Sequence, residues 1–176
     1  LSIIYNLPLV KAFENAYNGL MQPLIRQLHT ILILREKTIA VAESCTGGLL
    51  AAALTSLPDS SAYFILGVTA YSNRSKTSLL GIPAALIASK GAVSAEVARL
   101  LAQRIRLRAQ SDLGIGITGI AGPGGGTKNK PVGTVYISLA TSHAAHVTLC
   151  RFKGTRNTVR QQAVRRALTM LHKHLE

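Results

Sequence analysis

"AESCTGGLL", residues 42–50, places a carboxylate, two hydroxyls, a thiol and two glycines in one short stretch. "TIAVA" (38–42) precedes it as a short, buried type of strand, and "TGGLLAAALTSL" (46–57) follows with helical character. Ser44 therefore stands where a strand passes into a helix. A helix start there offers free N–H groups and the positive end of the helix dipole, a setting that suits a phosphate or an oxyanion. Gly47 and Gly48 let backbone approach a ligand. A plain helix start, with Ser44 or Thr46 as N-cap, explains the same residues without chemistry.

The rest of the chain alternates in the same way. Residues 8–35 read as a helix that Pro23 should break or kink. A strand is expected at 62–71, short helices near Lys76–Leu80 and Pro83–Ser89, and a longer helix from its N-cap Ser94 to about Ala109. Strands at 112–119, 134–140 and 146–152 follow, the last two as an antiparallel pair, and a closing helix spans Thr158–His174. This pattern predicts a single α/β domain, a mixed β-sheet with helices on both faces. Residues 1–35 form an N-terminal helical segment of that domain, and 36–174 form its body.

The 176 residues carry 20 lysines and arginines against seven acidic residues, a net charge of +13. Such a balance raises nucleic acid, phosphate-bearing metabolites and acidic membrane as partners. No apolar run reaches the roughly 18 residues of a membrane helix, and the opening "LSIIYNLPLV" does not read as a signal peptide. Cys45 and Cys150 have no metal or redox spacing, which points to a reducing, cytoplasmic setting.

Several familiar chemistries fail on context. "GIGITG" (114–119) has the G-x-G-x-x-G string, but the glycines fall inside a strand and no helix opens after them. The five histidines lie in the outer helices and the hairpin, outside every polar cluster, so no metal site is expected. A hydroxyl nucleophile here would need a base other than histidine, and Lys76, among the polar residues after the second strand, is the candidate. Cys45 reads as a small buried hydrophobe. The carboxyl ends of the inferred strands bring Glu43, Ser44 and Thr46 together with Tyr71, Ser72, Asn73 and Lys76, and with Thr118 and Gly119–Gly126, at the sheet edge where ligands bind.

Together, "AESCTGGLLAAALTSLPDSSAYFILGVTAYSNRSKTSLLGIP", "GAVSAEVARLLAQ", "ITGIAGPGGGTKNKPVGTVYISLA" and "GTRNTVRQQAV" resemble the CinA C-terminal domain family, over roughly residues 36–170. The resemblance implies an amidohydrolase without a cofactor that converts nicotinamide mononucleotide to nicotinic acid mononucleotide and ammonia. It places family-like roles on Ser44, Ser61, Tyr71, Lys76, Thr118 and Arg156. Lys76 would activate a serine, Tyr71 would relay or stabilise a proton, and either Ser44 or Ser61 would be the nucleophile. Glu43 and Thr46 would orient groups in the pocket, while Arg156 and the backbone at Gly119, Gly122 and Gly124 would hold phosphate or ribose. The expected partners are a small nucleotide substrate and further copies of the chain in a homo-oligomer, with no membrane. The alternative reading, drawn from the charge, is a protein that binds nucleic acid or a DNA-repair partner.

Overall fold

The computed structural model describes residues 8–176, with side chains from Met21 onward; residues 1–7 of the N-terminal segment lie outside the described residues. In chain order the elements are α1 (Pro8–Leu34), β1 (Ile39–Glu43), α2 (Leu49–Leu54), β2 (Phe64–Thr69), α3 (Asn73–Leu80) and α4 (Ala84–Lys90). Then come α5 (Ala95–Ala109), β3 (Leu113–Gly119), β4 (Thr134–Ala140), β5 (Ala145–Arg151) and α6 (Arg156–Leu175). A 3-10 turn, Ser60–Ala62, leads into β2. No helix among the described residues is long and apolar enough to cross a membrane.

The five strands form one mixed sheet in the order β2-β1-β3-β4-β5. β1 runs parallel to β2 and β3, whereas β3–β4 and β4–β5 are antiparallel. Strand alternation divides the core in two. Ile39, Val41, Leu113, Ile115 and Ile117 face one way and pack with Leu28 and Leu32 of α1, Leu50 of α2 and Ala163, Leu168 and Leu171 of α6. Ala40 and Ala42 face the other way, against Val97, Leu101 and Ile105 of α5, with Leu80 and Ile82 beside them.

Three elements differ from the sequence expectation. α1 continues through Pro23. Met21, Ile25, Leu28 and Leu32 are buried along it, and that packing carries the helix across the lost hydrogen bond. α2 starts at Leu49, not Thr46, because Gly47 and Gly48 adopt φ of 61° and 97°, left-handed values that no helix contains. α3 starts at Asn73, ahead of Lys76, because the Ser72 hydroxyl accepts a bond from the Ser75 N–H at 3.0 Å and caps it. Lys76, expected at the start of this helix, is consequently inside it and buried.

The glycines of "GIGITG" have a packing purpose. α5 lies so close to β3 that a Cβ on Gly116 would stand 2.5 Å from the Ala98 carbonyl oxygen and the Ala102 nitrogen. Gly114 meets the same helix at the Ala102 carbonyl. Backbone cannot retreat without moving the helix. Gly116→Ala should therefore cost about 1–3 kcal/mol, the usual range for overpacking, measured by chemical denaturation. An unchanged midpoint would show that α5 can shift freely.

Candidate active site

The carboxyl ends of β1, β2 and β3 sit side by side. Glu43 pairs with Thr69 on one flank and Ile117 on the other. The Ser44 N–H donates to the Ile117 carbonyl at 3.0 Å, so the chain remains strand-like one residue further. Alternation then sends neighbouring side chains to opposite faces: Glu43 points toward α2 and Ser44 toward α3.

Lys76 meets Ser44 there. Its Nζ lies 3.1 Å from Ser44 Oγ, 2.9 Å from the Ala70 carbonyl and 3.0 Å from the Tyr71 carbonyl. Lys76 is 1% exposed and Ser44 8%. Desolvation lowers the lysine pKa, because burial penalises the charged form. A Cys45 thiolate would oppose that shift. However, burial above all, helped by Glu43, pushes the Cys45 thiol up to about 11, so at neutral pH it carries no charge. The two carbonyls can only accept. In the neutral amine they take its two N–H bonds, which leaves the lone pair directed at the Ser44 hydroxyl. This is the geometry of a base beside a hydroxyl nucleophile.

Glu43 does not face this pair. Its carboxylate accepts the N–H groups of Gly48 and Leu50 at 3.1 Å and of Ala51 at 2.8 Å. The free N–H groups expected at the start of α2 are thus satisfied from within the chain, and no anion site remains there. Glu43 fixes the 44–48 turn and is itself 1% exposed.

Ser61 is separated from Lys76 by the length of β2. It stands in the 3-10 turn before the strand, whereas Lys76 grips the carbonyls just after it. Six strand residues span ~20 Å. Of the two serines, the structure brings only Ser44 to the lysine. Tyr71 is 56% exposed; its carbonyl meets the amine, while its hydroxyl accepts from Arg156 Nη2 at 2.7 Å. A direct proton relay from this hydroxyl to Lys76 is not the observed arrangement.

The remaining residues form the surround. Arg156 also donates through Nη1 to the Gly122 carbonyl at 2.7 Å, joining α6 to the glycine loop and to Tyr71. Thr118 Oγ1 donates to the Ala92 carbonyl at 2.8 Å. Gly119 packs against Val135 and Thr134, whereas Gly124 is open. Lys130 ties the far end of that loop to the carbonyls of Lys90 and Val93. Thr46 is fully buried and its Oγ1 has no hydrogen-bond partner.

Arg160 was not singled out from the sequence. Its Nη2 donates to the Thr46 carbonyl at 2.8 Å, and its buried Nε is unpaired. A Cβ on Gly47 would stand 3.3 Å from that Nη2, a second reason for glycine at a left-handed position. The i, i+4 spacing of Arg156 and Arg160 at the start of the last helix was the available signal. Among the described residues neither arginine is ion-paired; their observed partners are neutral oxygens.

The turn makes a direct prediction. Glu43→Gln replaces one acceptor oxygen by a donor, so at least one buried N–H loses its partner. It should cost about 2 kcal/mol of stability and lower any activity that depends on Ser44. Thermal unfolding alongside turnover checks both, and a variant as stable as the parent would contradict the capping assignment.

Comparison with known proteins gives the family. The CinA C-terminal domain model matches residues 21–175. A CinA-like protein of Desulfotalea psychrophila is 49% identical over 144 residues, and one of Geobacter sulfurreducens 50% over 145. These alignments cover 82% and 81% of this chain but 35% of either relative, so the chain spans about a third of their length. Among solved structures, a CinA superfamily protein from Klebsiella pneumoniae superposes with a TM-score of 0.84 at 35% identity, covering 87% of this chain and 96% of that one. A competence/damage inducible protein from Agrobacterium tumefaciens gives 0.85 at 35%, covering 88% and 94%. By the family model over most of its length, these relatives and the shared fold, the chain belongs to the CinA C-terminal domain family.

Proposed function

We propose that this domain is a serine–lysine amidohydrolase acting on nicotinamide mononucleotide, in a reducing cytoplasm where Cys45 and Cys150 stay free. The observation that carries the reading is the buried contact between Lys76 Nζ and Ser44 Oγ, with two carbonyls fixing the amine. Neutral Lys76 takes the Ser44 proton as Oγ adds to the carboxamide carbon, which the pyridinium ring makes electron-poor. The resulting ammonium protonates the departing nitrogen, and ammonia leaves. Water, deprotonated by Lys76, then adds to the ester; the Ser44 oxygen leaves, takes that proton back from Lys76, and nicotinic acid mononucleotide is released. The substrate phosphate is drawn by Arg156 and Arg160, whose observed partners leave their charge unneutralised.

Ammonia release from nicotinamide mononucleotide, with nicotinamide and glutamine as controls, tests the reading. Ser44→Ala should abolish turnover, and Lys76→Met should lower kcat at least about a hundredfold. Ser61→Ala, at the other end of β2, should leave kcat within about twofold. Because the neutral amine is the active form, the rate should rise with pH through the lowered pKa of Lys76 and level above it. A Lys76→Met protein that is folded and near full activity would end the serine–lysine reading.

Arg156 has two tasks that can be separated. Arg156→Ala should raise KM about 10–100-fold if a charge-assisted phosphate contact of ~1.5–3 kcal/mol is lost. Tyr71→Phe, which removes only the hydroxyl that Arg156 meets, should raise it far less. Equal effects would mean that Arg156 acts by holding Tyr71.

A further inference from the structure

Between Asp112 and Glu176 the chain contains no aspartate or glutamate, yet it carries nine lysines and arginines. That segment builds β3, β4, β5 and α6, so the asymmetry in sequence becomes one in space. Carboxylates elsewhere are largely engaged: Glu43 with three backbone N–H groups, Asp112 with Lys37, Glu96 with Lys90 and Glu176 with His172.

α6 gathers these cations on one side. Val159, Ala163, Ala167, Leu168 and Leu171 turn its apolar stripe inward. The helical period therefore sets Arg165 and Lys173 outward, and both are exposed, while Arg166, exposed as well, reaches back to the Cys150 thiol of β5. Lys153 is exposed beside them, its carbonyl held by Gln162 Nε2 at 2.9 Å. Arg26 of α1 joins from the opposite flank, lining with His172 the groove between the two helices.

We propose that this outer face of α6, flanked by Lys153 and Arg26, binds the phosphate backbone of duplex nucleic acid. The helix has 20 residues, ~30 Å at 1.5 Å each, close to the ~34 Å of one duplex turn. α6 carries no phenylalanine, tyrosine or tryptophan among its cations, so it offers no broad platform for stacking unpaired bases. Its apolar stripe is spent on the core, so it lacks the buried face with which an amphipathic helix enters a membrane. Binding is electrostatic and independent of base sequence. The surface is distinct from the Ser44–Lys76 pair, and the inference does not rest on the amidohydrolase reading.

Fluorescence anisotropy with a 20-base-pair DNA duplex at stepped salt concentrations tests it. The whole chain should bind with Kd on the order of 1–100 µM near physiological salt, weakening steeply as salt rises. Lys153→Gln, Arg165→Gln and Lys173→Gln together should weaken binding about tenfold or more and reduce the salt slope by roughly 2–3. Arg99→Gln, Arg104→Gln and Arg108→Gln remove the same charge from α5, on the opposite face of the sheet, and should weaken it no more than about threefold. Neither triple variant should change ammonia release. Equal weakening by both sets would show a response to net charge alone, and absence of duplex binding would overturn the proposal. So would phosphatidylserine vesicles that bind while the duplex does not.

Discussion

Everything at the candidate site depends on one buried nitrogen. Lys76 Nζ is held by Ser44 and by two successive carbonyls at the end of β2. Those acceptors come from two strands that lie side by side only because β1 and β2 pair in parallel. The lysine comes from a helix whose first turn is set by the Ser72 cap. Burying an amine costs free energy unless it is bonded or neutral. The three acceptors supply the bonding, and the lowered pKa eases the second condition. The same burial that makes the position expensive lowers the amine pKa, the property that the proposed base requires.

The pleat of β1 explains how a carboxylate can stand one residue from Ser44, the partner of this amine, without neutralising the amine. A glutamate beside Lys76 would hold it protonated and end its use as a base. Glu43 is one residue from Ser44, but alternation sends it to the other face, where three backbone N–H groups consume it. It then serves the site indirectly by fixing the turn that aims Ser44. Gly47 and Gly48 complete that turn with left-handed backbone, and Arg160 anchors it from α6.

The sheet, its mixed character and the meeting of three strand ends were legible because they rest on local periodicity and on a general property of open α/β sheets. Ser44 and Lys76 could be found that way, whereas Arg156 came only with the family resemblance. The choice between Ser44 and Ser61 could not, since both precede or follow a strand and only the direction of β2 separates them. The partners of Glu43 and Tyr71 were hidden for a related reason: sequence shows that a polar side chain is near, not which backbone N–H or guanidinium meets it. Thr118 bonds to the loop before α5, and nothing in its own surroundings announces a partner so far along the chain. The missed Arg160 contact bridges residues 114 positions apart. Long-range pairing of that kind leaves no local trace beyond a helical spacing.

The cations of this protein divide by what they touch. Lys76, Arg156 and Arg160 are held by oxygens of the chain and converge from α3 and α6 on the strand ends. The outward cations of α6 project away from the buried stripe of the same helix. One helix thus presents two kinds of positive charge: oriented at its first turns and exposed along the rest. A fixed guanidinium recognises a single anion through geometry, while mobile exposed charges recognise a repeating one through field strength. Charge composition alone cannot distinguish these uses. The packing of α6 does, because burial of Val159 and Ala163 fixes which turns face the strand ends and which face water.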